Sequence, residues 1–190
     1  MGGGKGTLTV ISGPMFSNKS GELLRLATVH RIADRSVTLF KHSLDNRYTG
    51  VDSISTHGGA SMAAEPVSTS SEVSLLAASA DVVAIDEAQF FDEGLARVAA
   101  QLVDSGVTVF VAGLDRNFKG EPFGPMPALM AMADEVMKLK AVCMRCRSLN
   151  GTMTQRLIDG RAASRNSPVI LVGAAEAYEA RCRDCHELAE

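Results

Sequence analysis

The chain has 190 residues and a mass of 20.1 kDa, enough for one substantial domain or a core domain with a small appendage. Its 46% hydrophobic and 22% charged residues can build a real core, while a net charge of −3 and a pI near 5.8 argue against a general nucleic-acid binder. No apolar run reaches the length of a membrane span and the start lacks the order of a signal peptide, so a cytoplasmic location is expected, where four cysteines point to metal or catalysis rather than disulfides.

Residues 7–11 form a short apolar run that ends at Ser12-Gly13 and reads as a buried strand. Residues 20–34 carry Leu23, Leu26 and Ala27 at helical spacing, and residues 36–41 give a second strand. Between the first strand and the helix lies Gly13-Pro-Met-Phe-Ser-Asn-Lys19-Ser20, where a Walker A phosphate loop belongs. The pattern expects glycine where Asn18 stands. That position calls for a positive φ, and asparagine is the non-glycine residue that enters the left-handed region most readily. On this reading the backbone N–H groups of Gly13, Pro14, Met15, Phe16, Ser17 and Asn18, so far as each has one, cradle ATP phosphates. Lys19 reaches the β/γ oxygens and the Ser20 hydroxyl ligates Mg²⁺. Taken alone, the segment also reads as turn residues ahead of a helix.

Residues 42–60 are polar, with Asn46, Gly50, Gly58 and Gly59, and are too long for a plain connector. Residues 81–85 are a third apolar run, closed by Asp86-Glu87 at the strand end where open α/β sheets bind ligands. One such acid holds the water shell of Mg²⁺, as a Walker B residue does, and its neighbour can accept the proton of an attacking hydroxyl. The plainer alternative is a cap for a helix starting near Asp92. Leu95, Val98, Ala99, Leu102 and Val103 then mark an amphipathic helix, and residues 107–112 a fourth strand. Continuous β-branched strands alternating with helices predict a parallel sheet covered on both faces, a three-layer α/β core of the P-loop NTPase type. Phe40 and Phe110, inside strands, are assigned to the core. Phe118 and Phe123, in a stretch rich in Gly, Pro and Asn, suit a pocket wall better.

The pattern changes near Cys143, which divides the chain into a nucleotide-binding domain, residues 1–141, and a zinc-ribbon lobe, residues 142–190. Every cysteine falls in a CxxC pair, Cys143-Met-Arg-Cys146 and Cys182-Arg-Asp-Cys185. Two such thiolate knuckles match a closed tetrahedral Zn²⁺ site, with His186 as a spare ligand. A redox function would need only one pair. Lys138, Lys140, Arg145, Arg147, Arg156, Arg161 and Arg165 stand against the single acid Asp159. Arg145, Arg147, Arg181 and Arg183 would offset the charge of a four-thiolate site without invoking nucleic acid.

Asp86-Glu-Ala-Gln-Phe-Phe91 together with the phosphate loop resembles the thymidine kinase family that carries zinc. Further matches follow in order: Asp45-Asn-Arg-Tyr48, Thr56-His57, Gly113-Leu-Asp-Arg-Asn-Phe118, Pro122-Phe123-Gly124, Val142-Cys-Met-Arg-Cys146, and Tyr178 ahead of Cys182. Each motif is weak alone; the ordered set is specific. The resemblance implies that Glu87 is the general base and that Asp86, Glu87, Ala88 and Gln89 lie beside the ATP phosphates. Phe90, Phe118 and Phe123, with Met15 and Leu114, would surround the base and sugar, and Arg47 would sit near the phosphate path. It also implies a long loop of the small lobe, residues 152–173, closing over the nucleoside. Thr154, a strand of Val169, Ile170, Leu171, Val172 and Gly173, and Tyr178 would then face the substrate, thymidine or deoxyuridine. A homotetramer belongs to the same implication. Two departures stand out: Asn18, and one residue more than expected between Cys146 and Arg156.

Two rival readings remain at this level. One is a nucleic-acid-dependent ATPase gripping DNA or RNA with the zinc lobe, against which the acidic balance speaks. The other is a kinase for a different nucleoside.

Overall fold

The computed structural model describes residues 4–44, 53–55, 61–77, 79–170 and 176–190. Five segments of the first part supply strands of the large sheet. They are β1 (Leu8–Ser12), β2 (Val37–His42), β5 (Glu65–Val67), β6 (Val82–Asp86) and β7 (Thr108–Gly113), with β3 (Ser53–Ser55) and β4 (Ser61–Ala63) forming a separate antiparallel pair. A sixth sheet member, β8 (Glu135–Lys138), lies beside β1. The sheet order is β5-β2-β6-β7-β1-β8 and every pairing in it is parallel.

Burial follows from composition. All five residues of β1 and of β6 are buried, as the uninterrupted runs Leu-Thr-Val-Ile-Ser and Val-Val-Ala-Ile-Asp require of strands covered on both sides. One face packs on α1 (Lys19–Ile32) through Leu23, Leu24 and Ala27, with Leu39, Ala84, Phe110 and Ala112 beneath. The other face packs on α3 (Gly94–Asp104) and α4 (Met126–Met132) through Leu95, Val98, Ala99, Met126 and Leu129. Phe40 and Phe110 are core residues, as expected from their strands.

Several elements stand outside the predicted set, among them α2 (Ser70–Leu76), β5 and β8. α2 begins at a capping box, in which Thr69 Oγ1 accepts from the Glu72 N–H and the Glu72 carboxylate accepts from the Thr69 N–H. β5 and β8 are edge strands. Pro66 is tolerated in β5 because an edge strand has only one ladder to feed.

Beyond Lys138 the chain crosses to a three-stranded antiparallel sheet, order β10-β9-β11, made of β9 (Met153–Ile158), β10 (Arg161–Ala162) and β11 (Glu176–Arg181). Its buried residues include Thr154, Gln155 and Arg156 beside Met153, Ala163 and Ala180, a polar interior unlike that of the large sheet. Val169 and Ile170 lie in irregular chain. Arg47, the 45–48 and 56–57 motifs, and Leu171, Val172 and Gly173 lie outside the described residues. No helix among the described residues is long and apolar enough to cross a membrane.

Candidate active site

β1 and β6 end on the same edge of the sheet with β7 between them, so Gly13 and Asp86 are delivered to one rim. At Gly13 a Cβ would sit 2.6 Å from the Leu139 carbonyl oxygen and 2.8 Å from Ser17 Oγ. Only glycine lets the loop turn this closely past the segment after β8. Phe16 and Asn18 both have φ 64°. The left-handed conformation expected at position 18 is therefore present, occupied by the residue type that accepts it most readily. The Pro14 carbonyl accepts from the Ser17 hydroxyl and from Lys19 Nζ, each at 2.8 Å, which folds the ammonium over the loop. The first turn of α1 lies directly behind, its N–H groups aimed at the rim.

The Ser20 hydroxyl lies near enough to the Asp86 carboxylate to lower its pKa. These two hard oxygen donors, side by side at the mouth of the loop, suit Mg²⁺, which prefers oxygen ligands and few protein contacts. Asp86 is 4% exposed. Burial, and then the adjacent Glu87 charge, push its pKa up to about 7 against the pull of Ser20 and Lys19. A divalent cation would reverse that balance.

Glu87 follows with φ 53°, a left-handed turn that swings its side chain out of line with β6. It precedes the single 3₁₀ turn of Ala88–Phe90 and makes no side-chain cap there, so the acidic pair does not serve as a helix cap. Asp92 does: its carboxylate accepts from the N–H groups of Ser70 and Gly94 at 2.8 and 2.9 Å. Gln89 Nε2 donates to Glu87 Oε2 at 2.5 Å, and its Oε1 accepts from the Leu114 N–H at 2.9 Å.

The residues assigned to the nucleoside fall in two aromatic groups. Phe90 and Phe123 meet edge-on at 5.9 Å, with His42 6.1 Å from Phe90. Phe118 is buried, 3% exposed, with the Arg156 guanidinium 4.1 Å from its centroid and 5.5 Å from that of Tyr178. Arg156 Nε donates to the Tyr178 hydroxyl at 3.1 Å, while its other nitrogens donate to the carbonyls of Pro168 and Val169 at 2.5 and 2.6 Å. Thr154 Oγ1 accepts from the Met15 N–H at 3.1 Å, which brings the small lobe onto the phosphate loop. Arg116 makes a second joint, donating to the Thr152 carbonyl at 2.9 Å. Arg156 reads in the sequence as one of a basic cluster; nothing in its neighbourhood there marks it as a buried strut between Phe118 and Tyr178.

The four Sγ atoms of Cys143, Cys146, Cys182 and Cys185 all lie within 4.8 Å of one another. Both knuckles close the same way: Arg147 N–H donates to the Cys143 carbonyl at 2.8 Å, and His186 N–H to the Cys182 carbonyl at 3.0 Å. A tetrahedral ion with bonds of about 2.3 Å to sulfur requires Sγ pairs about 3.8 Å apart, and Cys146 to Cys182 measures 3.7 Å. Burial works against ionisation at Cys143, but the N–H groups of Cys146, Cys182 and Arg145 bring its thiol down to about 6. Cys185 is pushed up to about 12, first by its hydrogen bond to Cys182 and then by burial. Four thiolates in one shell need a cation, and this donor set can hold Zn²⁺. His186 is engaged elsewhere: its Nε2 donates to the Phe118 carbonyl at 2.8 Å, which fixes the tautomer because a carbonyl only accepts.

Compared with known protein families, the chain matches the family model described as thymidine kinase over residues 6–186.

Proposed function

The chain belongs to the thymidine kinase family, and on that premise we propose that it transfers the γ-phosphate of ATP to the 5′-hydroxyl of thymidine and of deoxyuridine. Membership makes it a kinase of nucleotide salvage. The observation that carries the finer reading is the convergence at one rim of the phosphate loop, the Ser20–Asp86 pair and Glu87.

In the proposed reaction the loop and the start of α1 bind the phosphates through N–H groups, and Lys19 supplies charge to the β/γ oxygens. Ser20 and Asp86 would hold Mg²⁺, which when bound supplies charge neutralisation across those oxygens. Glu87 accepts the 5′-hydroxyl proton as the oxygen attacks phosphorus, and ADP leaves. Phe90, Phe118, Phe123, Met15, Leu114 and Tyr178 position the nucleoside, with Thr154 fastening the small lobe to the loop at Met15. Arg47, Leu171, Val172 and Gly173 are assigned to the substrate on the motif alone. Zn²⁺ on the four cysteines has a structural role in residues 142–190, while residues 1–141 carry the chemistry. Assembly is proposed to be a homotetramer, a reading in keeping with Val29 and Ile32, apolar side chains exposed on α1.

A coupled assay of ADP release with thymidine, deoxyuridine, deoxyguanosine, deoxyadenosine and single-stranded DNA tests the reading. Turnover is expected with the two pyrimidine nucleosides only. Comparable rates with a purine nucleoside, or stimulation by DNA alone, would overturn it. Sedimentation at micromolar concentration tests the tetramer.

A further inference from the structure

Gln89 is 2% exposed yet polar, so both ends of its amide need partners. The Leu114 N–H can only donate, so the amide atom facing it is Oε1 at 2.9 Å. Nε2, a donor, is thereby turned to Glu87 Oε2 at 2.5 Å, where only an acceptor serves. The amide orientation is set by chemistry at both ends. Its surroundings leave little room for another placement: a Cβ on Gly113 would lie 2.8 Å from Gln89 Oε1, and one on Gly124 would lie 2.3 Å from the Gln89 carbonyl oxygen.

Glu87 itself sits at φ 53°, a conformation that costs a non-glycine residue on the order of 1–3 kcal/mol and persists only where its surroundings over-determine it. Its side chain leaves β6 on a turn, not on a strand, and a carboxylate so placed needs an external support to keep one orientation. Gln89, in the 3₁₀ turn that follows, supplies it by anchoring on the Leu114 N–H just past β7, the strand between the one that carries the loop and the one that carries the acids.

We propose that Gln89 is the positioning residue for the Glu87 carboxylate, tying it to the backbone of Leu114 so that the proton acceptor and that wall of the nucleoside pocket keep a fixed separation. The proposal rests on Glu87 being the base. Misplacing a reacting group by about 1 Å costs up to about 10²-fold in rate, which sets the size of the effect.

The experiment is a double-mutant cycle in the full-length, zinc-loaded protein: wild type, Gln89→Met, Glu87→Gln and the double variant, with thymidine and ATP. Gln89→Met is expected to lower kcat about 10- to 100-fold while the thymidine KM stays within about threefold, roughly 0.7 kcal/mol. In the Glu87→Gln background the same change should cost less than about twofold, because Gln89 acts through the carboxylate already removed. Losses that multiply, or a raised KM with kcat unchanged, would overturn the proposal. Gln89→Glu is the second variant. It keeps the shape and the acceptor towards Leu114 but turns an acceptor towards Glu87, so its kcat should fall at least as far, and normal turnover would overturn the proposal. Melting temperature and zinc content confirm the fold of each variant. Wild-type turnover of thymidine bears on the substrate reading alone; the ratios within the cycle can be read with any nucleoside the wild type phosphorylates.

Discussion

The rim of the large sheet and the cysteine lobe both gather negative charge for a cation, but they are held together in different ways. At the rim, Asp86 ends a strand buried from Val82 to Ile85, with Glu87 on the turn just past it, and each buried Val or Ile in that strand contributes roughly 1.5–3 kcal/mol. The acids also have protein partners: Ser20 and Lys19 act on Asp86, and Gln89 binds Glu87. In the lobe the thiols are hydrogen-bonded chiefly to one another and to their own turns. The lobe's small sheet buries Thr154, Gln155 and Arg156 rather than a run of Val and Ile. The rim is therefore built to stand without its ion, and the lobe is built around one.

The sharpest way to break that comparison is at the loop. Lys19→Ala removes the charge that lies over the Pro14 carbonyl and would serve the β/γ oxygens. Turnover should fall by about 10³-fold or more, with the melting temperature little changed because the core faces of α1 are elsewhere, at Leu23, Leu24 and Ala27. Near-normal turnover would mean that the loop does not carry phosphate transfer. Glu87→Gln should follow, lowering kcat by about 10²-fold with nucleoside affinity almost unchanged, as titration calorimetry would read it. A large loss of affinity instead would make Glu87 a binding group and leave the base unassigned.

Metal removal tests the other half. One tightly held zinc per chain is expected by elemental analysis. Chelation, or Cys185→Ser, should open residues 142–190 to proteolysis while the far-ultraviolet signal of the core helices persists. Activity should fall with it, since Thr154 and Arg116 join the lobe to the loop and to the segment after β7. A zinc-free protein with an intact, active lobe would show that the two regions do not differ as argued.

The same contrast explains what could be read from the sequence. β1, β6, β7, α1 and α3 are legible because their burial is on display as continuous or 3.6-periodic apolar residues. The phosphate loop, the acidic pair and the two CxxC knuckles are legible because their chemistry is local in sequence. The left-handed Asn18 follows from its place at the loop's glycine position together with its residue type. β5 and β8 are not legible by that route. Glu-Pro-Val and Glu-Val-Met-Lys carry mixed exposure, since an edge strand needs no apolar run. α2 buries only Ser70 and Val73, too few for a periodicity, although Thr69-Ser-Ser-Glu72 is a capping-box signature in its own right. The links that make the site one object, Gln89 to Leu114 and Arg156 between Phe118 and Tyr178, span 25 and at least 22 residues. No local pattern announces them.

The smallest effect concerns the residue that departs from the loop pattern. A Cβ on Gly21 would lie 2.2 Å from Asn18 Oδ1 and 2.7 Å from Asn18 Cγ and Nδ2, so the Asn18 carboxamide occupies the space a side chain at 21 would take. Glycine inside a helix costs about 1 kcal/mol relative to alanine, and here that cost accommodates asparagine at the left-handed turn. Gly21→Ala should gain helix stability but push the Asn18 side chain, an exposed and movable group, away from the helix and towards the phosphates. The ATP KM should rise about threefold, roughly 0.7 kcal/mol, with the thymidine KM unchanged. Adding Asn18→Gly removes the obstructing carboxamide while keeping φ 64° accessible. The double variant should then recover the wild-type ATP KM and keep the higher melting temperature. If Asn18→Gly leaves the ATP KM of the Gly21→Ala protein where it was, the two positions are not coupled, and the close approach at Gly21 has no part in shaping the loop.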